Sequence, residues 1–151
     1  MFEWVSPDRA YFGEKDFQQI AVIRAMIQDQ GFPVNLCSCP IVREPSGLAM
    51  SSRNTLLTQA ERAIAANIYK ILMQSVDLCK TQDVSYIKQF VISSLDQIAG
   101  LRVEYFEIVD GYSLQPIAAW SDSPYIVGCI TVFCGAHPVR LIDNITYKSP
   151  F

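Results

Sequence analysis

The fold of the first part of the chain is decided by residues 5–31, which read VSPDRAYFGEKDFQQIAVIRAMIQDQG. Val5 to Phe12 mixes β-branched and aromatic residues, which predicts a short strand that runs into the turn Gly13-Glu14-Lys15-Asp16. Apolar residues then recur at positions 17, 20, 23, 26 and 27, the spacing of an amphipathic helix, until Gly31 supplies a stop. The sequence therefore predicts a strand that passes directly into a helix.

A second strand is predicted immediately after that helix. Phe32 to Cys39 is an apolar run typical of a buried strand, and Asp16 with Gln19 has the spacing of a capping box at the helix start. The order strand, helix, strand is typical of a parallel sheet, but two strands and one helix cannot close such a sheet alone. We therefore expect residues 1–41 to be the end of a larger α/β domain.

The remainder of the chain, residues 42–151, is predicted to be a separate α+β domain. Pro40 and Pro45 bracket residues 41–44 and indicate a domain boundary or hinge near residues 40–45. Thr58 and Glu61 have capping-box spacing, and the apolar residues after them predict a helix over residues 59–76. A second amphipathic helix is predicted over residues 84–98.

Three strands are predicted near residues 102–109, 125–133 and 139–145. Proline-containing turns separate the first two, and Gly135-Ala136-His137-Pro138 makes a tight link to the third. We expect an antiparallel three-stranded sheet that is covered by the two helices.

Composition excludes several classes of protein. Half of the 151 residues are hydrophobic, and 12 basic against 15 acidic residues give a formal charge of −3, which disfavours a disordered chain and nucleic-acid binding through a basic face. The five cysteines have no metal-ligand spacing with the single histidine, so we expect reduced thiols and no metal site. No signal peptide and no run of 18 apolar residues is present, so we expect a cytoplasmic protein without membrane association.

The turn Gly13-Glu14-Lys15-Asp16 is the first candidate site. Free N–H groups and the helix dipole favour anions where a strand gives way to a helix, so Lys15 could contact a phosphate there. Gln19, on the first helical turn, could hold a hydroxy acid at the same position. The alternative is purely structural: Gly13 eases the turn, Asp16 caps the helix and Lys15 is a solvated lysine.

The segment Met50-Ser51-Ser52-Arg53 is the second candidate site. Two hydroxyls, several N–H groups and a forked guanidinium on a turn-rich loop suit a polyphosphate. A serine-rich surface loop that caps a helix is the alternative. Because two candidate anion sites flank the predicted hinge, nucleotide binding is favoured, with one part of the protein closing over a nucleotide held by the other.

Four blocks of sequence resemble the pantoate–β-alanine ligase (pantothenate synthetase) family: residues 11–19, 42–44, 47–54 and 140–145. They are long, occur in the family's order and span nearly the whole chain. The resemblance covers only the second half of the family's length, because the histidine-containing segment of its first half is absent and His137 lies in a different context. We therefore expect a C-terminal fragment that is inactive alone.

The resemblance implies a fold and a set of site residues. Residues 1–41 would be the end of a Rossmann-like nucleotide-binding domain of a nucleotidyltransferase, and residues 42–151 a C-terminal lid domain. Gln19 matches a pantoate ligand, and Lys15 with the hydroxyl and guanidinium loop would act in catalysis. The residues implied to bind ATP are Gly13, Glu14, Lys15, Asp16, Val42, Met50, Ser51, Ser52 and Arg53, with Gly13 and Asp16 on the ribose side and Val42 and Met50 against adenine.

The resemblance also implies the reaction. ATP with Mg²⁺ and pantoate would form pantoyl-adenylate and pyrophosphate, after which the amine of β-alanine would yield pantothenate and AMP. No tightly bound cofactor is implied, and the full-length parent would be a homodimer. Two alternatives stay open, which are a non-catalytic lid module and a related nucleotidyltransferase that activates a different acid.

Overall fold

The computed structural model describes residues 2–150, which divide into two compact units on either side of the bond between Ile41 and Val42. Among the helices that it describes, none combines the length and the apolar character that crossing a membrane would require.

The first unit is built on a strand, a helix and a second strand. A short helix α1 (Phe2–Val5) precedes β1 (Arg9–Gly13), a 3-10 turn leads into α2 (Phe17–Gln30), and β2 (Asn35–Cys39) follows. The two strands pair in parallel with Gly13 opposite Cys39, so both strands end at the same edge. This confirms the predicted strand–helix–strand order.

The start of α2 differs from the prediction. Asp16 makes no side-chain cap, because its backbone (φ −91°, ψ 55°) lies outside the extended region that an N-cap residue adopts. A 3-10 turn over Glu14–Asp16 takes the place of the predicted capping box. The predicted stop is confirmed, since Gly31 is left-handed (φ 63°) and Phe32 N–H donates to the carbonyl oxygen of Ile27 (3.1 Å).

In the second unit three α-helices precede the sheet: α3 (Gln59–Ala65), α4 (Asn67–Leu78) and α5 (Val84–Asp96). The capping box of Thr58 and Glu61 is confirmed, with both of its hydrogen bonds present. The prediction of a single helix over residues 59–76 is wrong, because the helix is interrupted at Ala66, between α3 and α4. There Asn67 Nδ2 donates to the carbonyl oxygen of Ile64 (2.9 Å), which competes with regular helical pairing.

The three strands of the second unit form an antiparallel sheet of order β3-β4-β5, as predicted. Their bounds are β3 (Leu101–Asp110), β4 (Ile126–Cys134) and β5 (Val139–Lys148). The central strand β4 is buried at every position except Phe133, and strands flank both of its edges.

The core of the second unit lies between the sheet and the helices α4 and α5. Helical spacing brings one apolar stripe of each helix onto the strands, and the strands supply branched residues in return. Fully buried members of this core include Leu72, Ile87, Val91, Leu95, Ile108, Ile126, Ile130 and Val132.

The turn after β3 is organised by the carboxylate of Asp110. Its Oδ1 accepts hydrogen bonds from the N–H of Tyr112 (3.1 Å) and from the N–H and hydroxyl of Ser113 (2.6 and 2.7 Å), and its Oδ2 accepts from Ser123 Oγ. Burial opposes ionisation of this carboxyl, but the donors outweigh it and lower the pKa from 3.8 to about 2.

We expect Asp110→Asn to destabilise the chain at neutral pH and to have much less effect at pH 2. A carboxyl with a depressed folded-state pKa contributes stability above its ordinary value of 3.8, and the contribution is lost as the pH falls through about 2. Denaturant midpoints of the wild-type protein and of Asp110→Asn at pH 7, 4 and 2 measure the difference in stability. Asp77→Asn, at a side chain that is 79% exposed, is the control. A difference in midpoint between wild type and Asp110→Asn that does not change with pH would contradict the prediction.

Candidate functional site

The candidates of the first unit lie together at one edge of its sheet. Gly13 ends β1, Lys15 lies in the 3-10 turn, and Gln19 is exposed on the first turn of α2. Glu14 and Asp16 belong to the same turn. The structure therefore brings a cation and an exposed amide to the carboxyl edge of parallel strands, where α/β sheets bind ligands.

The candidates of the second unit begin on a hairpin over residues 42–50. Met50 N–H donates to the carbonyl oxygen of Val42 (2.9 Å), and Arg43 bridges to Ala49 in antiparallel fashion. Val42 and Met50 thus face each other across the hairpin, and they are 67% and 54% exposed. Both positions therefore present apolar side chains to solvent.

Ser51, Ser52 and Arg53 follow at the end of this hairpin, where a 3-10 helix begins (Ser52–Leu56). Ser51 Oγ accepts from the N–H of Arg53 (3.2 Å) and so caps that helix. Ser52 and Arg53 are exposed, and Arg53 Nη1 donates to the carbonyl oxygen of Arg140 (3.1 Å). The segment presents hydroxyl and guanidinium groups within three consecutive residues, a donor set that oxyanions favour.

An open cleft of about 610 Å³ lies beside Arg53. It is lined by Arg53, Leu56, His137, Pro138, Val139 and Arg140. The guanidinium of Arg140 is held by the carboxylate of Glu104 at 2.7 Å. Sequence reasoning set His137 aside, because no ligand partner lies close to it in sequence and its context differs from that of the family's histidine-containing segment. Its place beside Arg53 depends on the fold, which no local spacing rule describes.

An ion pair fixes the base of the hairpin. Arg43 Nη1 and Nη2 donate to the two carboxylate oxygens of Asp143 at 2.7 and 3.0 Å, and Nη1 also donates to the carbonyl oxygen of Gly47 (3.1 Å). The guanidinium lies 3.7 Å from the centre of the Tyr69 ring. A Cβ at Gly47, where φ is +92°, would lie 2.8 Å from that ring, which explains the glycine.

Asn54 directly follows the Ser51–Arg53 segment and is hydrogen-bonded to the hairpin that precedes it. It is 2% exposed, and its Nδ2 donates to Glu44 Oε1 (2.8 Å) and to the carbonyl oxygen of Ala49 (3.1 Å). The carbonyl oxygen of Asn54 accepts from Arg62 Nε (3.0 Å). Sequence reasoning missed these supporting residues as a group. Their only signal was that Arg43, Glu44, Asn54 and Asp143 lie inside the blocks that carry the family resemblance.

Thiol chemistry does not favour nucleophilic catalysis in the second unit. Burial raises the pKa of Cys129 to about 12, and burial followed by the nearby charge of Glu61 raises the pKa of Cys134. Both thiols therefore remain protonated at neutral pH. The candidate segment Ser51–Arg53 and the cleft beside it offer hydroxyl, guanidinium and imidazole groups instead.

Comparison with known proteins places the chain in a family. The family model for pantoate-beta-alanine ligase matches residues 1–146. Curated relatives named pantothenate synthetase, from Bacteroides thetaiotaomicron and Porphyromonas gingivalis, are 53% and 55% identical over 148 residues, or 98% of this chain. The chain covers 52% of each, so it spans about half the length of the curated relatives it matches.

Solved structures agree. A crystal structure of pantothenate synthetase from Thermus thermophilus is similar with a TM-score of 0.87 and 35% identity over 97% of this chain and 52% of the other. A pantoate-beta-alanine ligase from Francisella tularensis, complexed with beta-gamma ATP and beta-alanine, is similar with a TM-score of 0.64 and 28% identity, covering 99% of this chain and 48% of the other. The likeness to these structures confirms the predicted fold class.

Proposed function

Because this chain belongs to the pantoate–β-alanine ligase family, we propose that it forms part of an enzyme that joins pantoate to β-alanine using ATP. In the first step a carboxylate oxygen of pantoate attacks the α-phosphorus, and the bond to the leaving pyrophosphate breaks. In the second step the amine of β-alanine attacks the acyl carbon of pantoyl-adenylate, AMP leaves, and the amine loses a proton to solvent. Mg²⁺ enters with ATP as part of the substrate.

The observation that carries this proposal is the geometry of Ser51, Ser52 and Arg53. The segment is exposed, yet a capped 3-10 helix and the contact to Arg140 hold it in place. Negative charge builds on the α-phosphate and on pyrophosphate during adenylation, and preorganised donors are the general means of stabilising it. The relative from Francisella tularensis, complexed with beta-gamma ATP and beta-alanine, supports the same substrate class.

In this proposal each unit supplies its own set of substrate contacts. Residues 1–41 form the end of a Rossmann-like nucleotide-binding domain, and residues 42–151 form a lid domain. Within the first unit Lys15 contacts a phosphate and Gln19 holds pantoate, while the hairpin of the second unit supplies adenine contacts. The proposed ATP-binding residues are Gly13, Glu14, Lys15, Asp16, Val42, Met50, Ser51, Ser52 and Arg53.

The length of the chain favours one second candidate. Because the chain spans about half of its curated relatives, we also propose that it acts as a lid that has no activity alone and works only within a full-length, homodimeric cytoplasmic protein. This second proposal is compatible with the first, because it concerns the activity of residues 1–151 in isolation and the first concerns the full-length protein.

Two measurements test these proposals. The full-length protein is expected to convert ATP, pantoate and β-alanine into equal amounts of AMP and pantothenate, and absence of both products would contradict the ligase proposal. Calorimetric titration of Mg-ATP into residues 1–151 is expected to release little heat, and tight binding would contradict the lid proposal. Formation of AMP with a different hydroxy acid would identify the related nucleotidyltransferase.

A further inference from the structure

We propose that the ion pair between Arg43 and Asp143 is a positioning device that holds the Ser51–Arg53 segment in place for phosphate contact. This inference rests on the proposed function for the role of that segment. The clamp itself, defined as Arg43, Asp143, Asn54 and Glu44, is a feature of the second unit alone.

The first contact of the clamp has the geometry of a specific ion pair. Both terminal nitrogens of Arg43 bond the carboxylate of Asp143, whose side chain is 4% exposed, while that of Arg43 is 17% exposed. The Tyr69 ring stacks against the guanidinium, and Asp143 Oδ1 also accepts from the N–H of Asn144 (2.8 Å). A forked donor on a planar acceptor fixes direction as well as distance, so this pair sets the orientation of the hairpin.

A second contact joins Arg53 to β5, the strand that also carries Asp143. Arg53 donates to the carbonyl oxygen of Arg140, and Arg140 lies three residues before Asp143 on β5. Strand β5 therefore holds the hairpin at Arg43 and the Ser51–Arg53 segment at Arg53. The side chain of Asn54 ties Glu44 to Ala49 within the loop.

Such a double attachment has a catalytic consequence. Donors stabilise a developing charge only if they are already in place, and a misplacement of about 1 Å can lower a rate by about 10²-fold. A pair that only stabilised the fold would change the melting temperature and leave the relative rates of the two chemical steps unaltered. A positioning pair changes the step in which phosphate charge develops.

The kinetic experiment uses the full-length protein with Asp143→Asn and Arg43→Lys. At a temperature where thermal unfolding shows both variants folded, the rate of pyrophosphate release is expected to fall by about 10²-fold. The reaction of supplied pantoyl-adenylate with β-alanine is expected to change by less than about threefold, since it breaks the acyl bond to AMP and involves no attack at phosphorus and no departure of pyrophosphate. Asp77→Asn, which removes an exposed ion pair with Lys80, is the matched control and is expected to leave both rates unchanged.

A second measurement does not depend on activity. The N–H of Met50 is bonded to the carbonyl oxygen of Val42, and its hydrogen exchange is expected to accelerate by about tenfold or more in both clamp variants and not in the control. If Asp143→Asn fails to fold, Arg43→Lys carries both measurements, because lysine keeps the charge and loses only the fork.

The outcomes separate the two proposals. A wild-type full-length protein without ligase activity contradicts the proposed function, while the exchange of Met50 still decides whether the clamp exists. Unchanged exchange, or an equal loss in both chemical steps, overturns the positioning role. Faster exchange together with a selective loss of pyrophosphate release supports it.

Discussion

Replacing Lys15 by alanine in the full-length protein is expected to slow adenylate formation by about 10²- to 10³-fold. Lys15 lies in the turn between β1 and α2, where the amino end of the helix also favours negative charge. Loss of this cation removes stabilisation from the transition state, in which charge moves onto pyrophosphate. The rate of pyrophosphate release at saturating pantoate measures the effect.

Two further variants make this result specific. Lys15→Arg is expected to restore activity only in part, because a planar fork does not replace a compact ammonium in a fitted site. Lys80→Ala removes a lysine whose side chain is 70% exposed, and it is expected to leave the rate unchanged. Adenylate formation near the wild-type rate in Lys15→Ala would refute the role assigned to this lysine.

Leu72→Ala is expected to lower the free energy of unfolding of the second unit by about 2–5 kcal/mol. Leu72 is fully buried on α4, where it belongs to the core between the helices and the sheet. Removing its side chain loses apolar burial and leaves a cavity that the surrounding strands can fill only in part. Denaturant unfolding of the chain measures the change.

The neighbouring position on the same helix provides the control. Met73 is 43% exposed, so Met73→Ala is expected to change the free energy of unfolding by less than about 1 kcal/mol. A loss at Leu72 no larger than that at Met73 would contradict the core described for this unit.

Local order along the chain was predictable from the sequence where one physical signal dominates. The 3.6-residue spacing after Phe17, the left-handed stop at Gly31 and the capping box at Thr58 each depend on residues within one or two turns. The three strands of the second unit were predicted within a few residues for the same reason. Strong short-range preferences survive in the folded protein.

Other features depend on contacts that no local pattern contains. The backbone of Asp16 is set by the turn before it, which is why capping-box spacing there failed. Arg43 and Asp143 are 100 residues apart, and only the register of β5 brings them together. The ligand roles of Lys15, Gln19 and Arg53 rest on local donor chemistry and on family resemblance, and they stay predictions.

The buried centre of the second sheet also affects how the protein must be made. Strand β4 reads IVGCITVFC, nine residues without a charge, and β5 supplies the hydrogen bonds along one of its edges. Until β5 has emerged from the ribosome, this edge of β4 carries unpaired backbone N–H and C=O groups, and the strand has a high β-propensity. Nascent or truncated chains that stop before Val139 therefore expose the edge of β4, to which another chain can pair. Pairing of β5 with β4 covers this edge and so opposes aggregation during synthesis.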